Sequence, residues 1–160
     1  MVLGLLTASL LSIVCFVITV VMGFTMQARL GIPQHILWGF LSTFLVTLSQ
    51  SMTMFYFIGT GKHVKDLVAS QPGGSEFIRR TKVFKMKVFP PALWAMLTTM
   101  AAMIVGGGVH TRIVPWWVHL ALAAVALYYN VVAFWNDAKY MIQHNLLMEE
   151  IDRTLPATKE

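Results

Sequence analysis

The chain has 160 residues, of which 57% are hydrophobic and only 12% are charged. Because soluble domains carry about a quarter charged residues, this composition argues against a soluble fold and favours a protein buried partly in lipid. The formal net charge of +5 would suggest nucleic acid as the partner of a soluble protein. Beside a membrane it indicates anionic headgroups or an acidic protein surface instead, and we expect no nucleic acid.

Four stretches are apolar and long enough to form transmembrane helices, which need about 20 residues each. We predict an all-α integral membrane protein in which residues 1–160 form a single domain, a bundle of four transmembrane helices with cytoplasmic helical extensions. The two halves of the chain show no sequence repeat. The predicted spans cover approximately residues 3–25, 37–59, 90–106 and 113–135.

A polar stripe on the second predicted span needs partners inside a bundle. Gln50 lies within a long uncharged run, where lipid offers no water to its amide. Such side chains commonly hydrogen-bond to neighbouring helices, and we expect that role rather than a ligand or ion path. The residues predicted to make polar contacts within the bundle are Thr47, Gln50, Ser51 and Asn130.

Residues 61–89 form a strongly basic segment between the second and third spans. We predict a helical hairpin or interfacial segment with a turn at residues 71–74, a helix capped by Ser75, and a bend at Pro90 and Pro91 where the third span begins. Long basic side chains at a membrane surface can reach the lipid headgroups. The predicted headgroup contacts are Arg79, Arg80, Lys82, Lys85 and Lys87.

The distribution of basic residues predicts the orientation. Segment 61–89 holds seven Lys and Arg, whereas the other two connections hold only Arg29 and Arg112. Since basic loops stay in the cytoplasm, the basic segment is predicted to be cytoplasmic. Four spans then place both termini on the same side, and we predict a multi-pass protein of the inner (plasma) membrane.

The tail, residues 136–160, keeps a helical pattern after the fourth span. Its apolar side chains recur at helical spacing and form a stripe that a single helix would expose. We therefore expect a cytoplasmic helix that packs against the basic hairpin or against a partner subunit. The stripe consists of Met141, Ile142, Leu146, Leu147 and Ile151.

Histidines are the first candidates for a cofactor site. His35, His110 and His119 should lie near the external face of the predicted bundle. Two histidines at equal depth on facing helices can ligate a b-type haem, three can hold a metal ion, and an apolar slot beside them can bind a quinone. Sequence spacing alone does not bring them together, so haem b or quinone is kept as an alternative.

Methionines are the second candidates. Met96, Met100 and Met103 share one face of the third predicted span, and their thioethers would suit Cu(I). Methionine also fills irregular gaps in cores, and we favour that role. No Asp, Glu, Lys or Arg occurs within the four predicted spans, which argues against a proton pump or an ion-coupled transporter.

The sequence contains no recognisable catalytic constellation or phosphate-binding loop. The leading prediction is a non-catalytic structural or accessory subunit of a larger inner-membrane assembly, in contact with other subunits or with copies of itself. The alternatives are an electron-transfer subunit that binds haem b or quinone near the external face, and a small copper or solute carrier. The layout resembles that of the small membrane anchors of respiratory complexes, but no motif accompanies this likeness and no family is assigned.

Overall fold

The computed structural model describes residues 1–25, 32–71 and 73–154. These residues form four α-helices, and each helix is long and apolar enough to cross a membrane. The predicted all-helical fold with four apolar helices is thereby confirmed. Predictions that concern Arg29, Pro72 and residues 155–160 lie outside the described part. The helices are α1 (Val2–Thr25), α2 (Ile32–Val68), α3 (Gly74–His110) and α4 (Trp116–Thr154).

Three of the helices are much longer than the spans predicted from the sequence. α2, α3 and α4 contain 37, 37 and 39 residues, whereas α1 contains 24. A helix of 37 residues is about 55 Å long, which exceeds the roughly 30 Å hydrocarbon core of a bilayer. α3 includes both Pro90 and Pro91, so the two prolines do not separate two helices.

The connection between α2 and α3 is a tight turn. Gly73 precedes α3 with a φ of 80°, a left-handed conformation that glycine adopts without steric cost. The predicted N-cap at Ser75 is therefore wrong, because the helix has already begun at Gly74 and Ser75 lies exposed in its first turn. The turn makes α2 and α3 antiparallel neighbours.

The ends of α2, α3 and α4 near this turn form a helical extension, residues 61–68, 74–84 and 144–154. Arg80 of α3 donates a hydrogen bond of 2.7 Å to Glu150 of α4. The tail therefore packs against the basic hairpin, which is one of the two arrangements predicted for it. Its predicted stripe is only partly right, because Ile142 and Leu146 are exposed. The buried apolar side chains of the extension are Val64, Val68, Phe84, Leu147 and Ile151.

The buried positions show an internal repeat that residue identities do not reveal. All six buried positions of α1 recur in α3 at one constant offset, and five of the nine buried positions of α2 recur in α4 at an offset one residue larger. The two helical hairpins α1–α2 and α3–α4 therefore bury corresponding faces. The corresponding buried pairs include Leu5 and Val88, Ser9 and Ala92, Ser12 and Ala95, Phe16 and Thr99, Thr19 and Ala102, Ser42 and Ala126, Val46 and Asn130, Thr53 and Asp137, and Phe57 and Met141.

Candidate functional site

Two of the three histidines predicted as cofactor ligands meet at one end of the bundle. His35 lies in the first turn of α2, and His119 lies in the first turn of α4. The centres of their rings are 6.2 Å apart and the ring planes are nearly perpendicular, at 86°. We call this end of the bundle the histidine end.

The same kind of contact orients both imidazole rings. Nδ1 of His35 lies 3.1 Å from the carbonyl oxygen of Thr19 in α1, and Nδ1 of His119 lies 3.0 Å from that of Ala102 in α3. A carbonyl oxygen only accepts hydrogen bonds, so each neutral ring carries its hydrogen on Nδ1 and keeps a lone pair on Nε2. No described residue forms a hydrogen bond with either Nε2, which leaves both free to bind a metal.

A glycine faces each ring from the neighbouring helix. A Cβ atom at Gly23 would lie 3.2 Å from Cε1 of His35, and one at Gly106 would lie 3.0 Å from Cε1 of His119. Both distances are shorter than ordinary van der Waals contact. The glycines therefore let the backbones of α1 and α3 approach the rings closely, and the arrangement is repeated in the two hairpins.

A large cavity of about 890 Å³ opens beside the two histidines. Its volume is within the range of small-molecule and cofactor sites, about 300–1,000 Å³. Apolar side chains form most of its wall, and Thr99 lines its inner part. His110 and Arg112 also line it and are exposed, so the third predicted histidine borders the cavity without forming part of the His35–His119 pair.

Two free imidazole nitrogens suit a metal that needs only two protein ligands. Among the described residues, no group of three or more His, Cys, Asp or Glu side chains could hold a metal ion. Haem iron requires only axial ligands, because the porphyrin occupies the other four positions. The ring centres are 6.2 Å apart, which brings both imidazoles within reach of one bound metal.

The three methionines predicted as copper ligands lie in different surroundings. The sulfur of Met96 accepts a hydrogen bond of 3.6 Å from Ser51, and Met103 lines the large cavity. Met100 is 43% exposed on the outside of the bundle. The side chains thus contribute separately to packing, cavity lining and the outer surface.

The residues predicted to make polar contacts within the bundle differ in their partners. The Gln50 amide donates to the hydroxyl of Ser9 in α1 at 3.3 Å, and the Asn130 amide donates to the hydroxyl of Thr99 in α3 at 2.9 Å. Thr47 bonds only to a carbonyl of its own helix. Gln50 and Asn130 therefore join neighbouring helices through the interior.

Asp137 is a polar residue of the interior that the sequence analysis assigned to the tail. It is 0% exposed, and neither carboxyl oxygen forms a hydrogen bond with a described residue. Gln50 lies next to this carboxyl without reaching hydrogen-bond geometry. The signal that could have found it is helical phase, since Asn130, Ala133 and Met141 are also buried and share its face of α4.

A small cavity of about 400 Å³ lies where the N-terminus of α1 meets the helical extension. The Tyr56 hydroxyl donates to Oδ1 of Asn145 at 3.3 Å and lies 3.5 Å from Nδ1 of His144. Nε2 of His144 is buried and has no hydrogen-bond partner among the described residues. Tyr56, Thr60, His63, His144 and Asn145 all line this cavity.

The basic residues predicted to contact headgroups lie on the helical extension and just beyond it. Arg79 pairs with Glu76 at 2.8 Å, and its hydrogen bond is the main reason why the pKa of Glu76 is lowered. Arg80 pairs with Glu150. Lys82 and Lys87 are exposed, and Lys85 is half-buried.

No family model matches the chain, and neither a curated protein nor a solved structure shows significant similarity to it. The function is therefore argued from the site itself.

Proposed function

We propose that this protein is a membrane-embedded electron-transfer protein that binds one b-type haem between His35 and His119. The observation that carries the proposal is the matched pair of imidazoles. Their ring centres are 6.2 Å apart, and both rings line one ligand-sized cavity. When bound, the haem supplies a one-electron redox centre.

The protein's own groups hold and orient that centre. His35 and His119 would hold the haem iron through Nε2. The carbonyl oxygens of Thr19 and Ala102 accept the Nδ1 hydrogens, which fixes the tautomer and makes the ligating nitrogen more basic. Arg112 lies at the cavity wall, where a guanidinium can pair with a haem propionate.

The proposed membrane orientation follows from the charges. The basic residues of the helical extension lie at the end of the bundle opposite the histidine end, and basic segments stay in the cytoplasm. The four helices then cross the inner membrane with both termini inside and the haem near the external face. Lys82 and Lys87, which are exposed, are placed to contact anionic headgroups.

Membership of a larger inner-membrane assembly is the second candidate function. It is favoured by Ile142 and Leu146, which are both 56% exposed on α4 although they lie in a segment that packs against the hairpin. Exposed apolar side chains at an element end are suited to contact another subunit. A haem-binding subunit of such an assembly would pass electrons between its partners.

The test is the absorption spectrum of the protein purified from membranes with haem supplied during expression. We expect a Soret band, one haem per chain, and the low-spin spectrum of a six-coordinate iron. His35→Leu and His119→Leu should each abolish the low-spin spectrum, because one axial ligand is lost.

The matched control is His110→Leu, since His110 lines the same cavity but is not part of the pair. It should keep the wild-type spectrum. His119→Gly with added imidazole should recover the low-spin form, which separates a lost ligand from a misfolded bundle. A wild-type protein that takes up no haem, or a His119→Leu variant with an unchanged spectrum, would show that the proposal is wrong.

A further inference from the structure

The centre of the bundle contains more hydrogen-bond acceptors than donors. Both Asp137 oxygens and Oε1 of Gln50 are buried without a hydrogen-bond partner in the described part of the chain. The Gln50 amide uses one of its two hydrogens on Ser9, which leaves one amide hydrogen for these three acceptors. Among the described residues, no charged side chain acts on the Asp137 carboxyl. An ionised carboxylate in such a place is strongly unfavourable.

A single proton removes this imbalance. A protonated Asp137 is a donor as well as an acceptor, and its hydroxyl can donate to Oε1 of the adjacent Gln50. Thr53 lies three residues after Gln50 on the same face of α2. Its buried hydroxyl also has no partner among the described residues and is a second donor at this level of the bundle. One added proton therefore provides a donor for Oε1 of Gln50.

A row of polar side chains leads from this centre to the small cavity. Gln50, Thr53 and Tyr56 follow one another every three residues along the buried face of α2. Each step rises about 4.5 Å, a distance that one water molecule between neighbouring groups can bridge. The row ends where Tyr56 and Thr60 line the small cavity.

Towards the large cavity, the row of polar side chains on this face of α2 is interrupted. Val46 lies one turn before Gln50 on the same face of α2; it is 0% exposed and has no polar side-chain atom. Beyond it, Ser42 lines the large cavity. On α2, Val46 therefore interrupts the polar row between Gln50 and the large cavity, whereas Thr53 and Tyr56 continue the row to the small cavity.

We propose that Asp137 is a proton-binding site at the centre of the bundle, loaded from the small cavity through Tyr56 and Thr53. A proton leaves hydronium in the small cavity, an O–H bond forms on the Asp137 carboxylate, and water remains behind. The side chains at this level of α1 and α2, Ser9, Gln50 and Thr53, do not titrate, and no charged side chain of α3 or another described element acts on the Asp137 carboxyl. At the cavity end of the path, Tyr56 lies beside His144, which Lys85 of α3 faces.

Infrared spectroscopy of the protein in lipid bilayers tests this site without any need for haem. Every other described Asp and Glu is exposed, so a protonated carboxyl band at neutral pH should belong to Asp137 and disappear in Asp137→Asn. In D₂O the band should shift as the proton exchanges. Tyr56→Phe and Thr53→Val remove hydroxyls from the path, and each should slow this exchange about tenfold or more.

The matched control is Thr99→Val, the same nearly isosteric change on the side of the large cavity, which should leave the exchange rate unchanged. Absence of an Asn-sensitive band would overturn the proton site, because Asp137 would then be ionised. A band whose exchange is unaffected by Tyr56→Phe and Thr53→Val, or is slowed only by Thr99→Val, would overturn the route. Loss of the haem spectrum in any variant affects only the preceding proposal, since the infrared readout does not use the haem.

Discussion

At the scale of single residues, the proposed haem site depends on two glycines as much as on the two histidine ligands. Gly23 and Gly106 occupy corresponding positions of α1 and α3, and each faces one imidazole at a distance that leaves no room for a methyl group. Gly107 is the next residue of α3, but a Cβ there would have no neighbour within 4 Å. Alanine substitutions at Gly106 and Gly107 therefore distinguish the effect of crowding the His119 ring from the effect of helix propensity.

We expect Gly106→Ala to weaken haem binding, because its Cβ displaces the His119 ring from the position that lets both nitrogens reach one iron. Overpacking of this kind costs about 1–3 kcal/mol, or roughly a 5- to 150-fold weaker affinity. Haem titration of the apoprotein, followed at the Soret band, measures the change. Gly107→Ala should bind haem like the wild type. Equal weakening by both variants would mean that the space beside His119 is not what matters.

The sequence was sufficient to nominate His35 and His119 but not to pair them. Pairing depends on the depth at which each helix begins, which Pro33 and Pro115 indicate only approximately. Asp137 was missed because the fourth span was ended where its apolar run stops, at Trp135. Helical phase continues across such a boundary, so a residue two positions further on can still point into the core.

At the scale of elements, the α2–α3 turn decides how the helical extension is built. A Cβ at Gly74 would collide with the backbone oxygen of Val68 and would lie 3.0 Å from the Cβ of that residue. Backbone atoms cannot swing aside as the end of a long side chain can. The close approach of the two helices at this point therefore requires glycine.

Gly74→Ala should lower the free energy of unfolding by about 1–3 kcal/mol, because the turn must open to admit the methyl group. Denaturant unfolding in mild detergent, followed by tryptophan fluorescence, gives the value. Gly59→Ala is the control, since a Cβ there meets nothing within 4 Å. It should be neutral or stabilise α2 by up to about 1 kcal/mol through helix propensity. If Gly74→Ala were equally harmless, the turn would not be tightly packed.

The number of helices was predictable from the apolar runs, but their lengths were not. The charges after Gly61 were interpreted as the end of the membrane span, and the prolines at 90 and 91 as a bend before the third span. The helices continue through them because buried side chains on both sides, such as Val64, Val88 and Ala92, hold the segments against their neighbours. Tertiary packing of this kind offsets the two backbone hydrogen bonds that the prolines cannot form.

At the scale of the whole molecule, the chain is built from two hairpins with matching buried faces and one decisive difference. His35 and His119 occupy corresponding places with corresponding contacts, so the proposed haem lies between equivalent halves. Thr53 and Asp137 are also a corresponding pair, but only Asp137 has an ionisable side chain. The repeat therefore accounts for the histidine end, and its breakdown at Asp137 accounts for the proposed proton site. Sequence comparison of the halves missed the repeat because burial is repeated, not residue identity.

Two adjacent leucines of the helical extension distinguish side chains that stabilise the fold from side chains available to a partner. Leu146 and Leu147 are adjacent in α4, but Leu147 is 0% exposed within the extension and Leu146 is 56% exposed. We expect Leu147→Ala to lower the free energy of unfolding of the purified protein by about 2–5 kcal/mol, as is usual for a buried leucine. Leu146→Ala should change it by less than about 0.5 kcal/mol, as is usual for a surface site.

Assembly should respond in the opposite way if the protein is a subunit of a larger complex. Leu146→Ser removes an apolar contact from the outer face of α4 without disturbing the core, so it should reduce the size of the assembly extracted from membranes while the free energy of unfolding stays near that of the wild type. Native gel electrophoresis of the detergent extract, with the unfolding curve of the purified variant beside it, measures both quantities. Asn145→Ser, at the exposed neighbouring position, is the control and should leave the assembly intact. An assembly of unchanged size in Leu146→Ser would remove this face of α4 as a contact surface and would not affect the haem proposal.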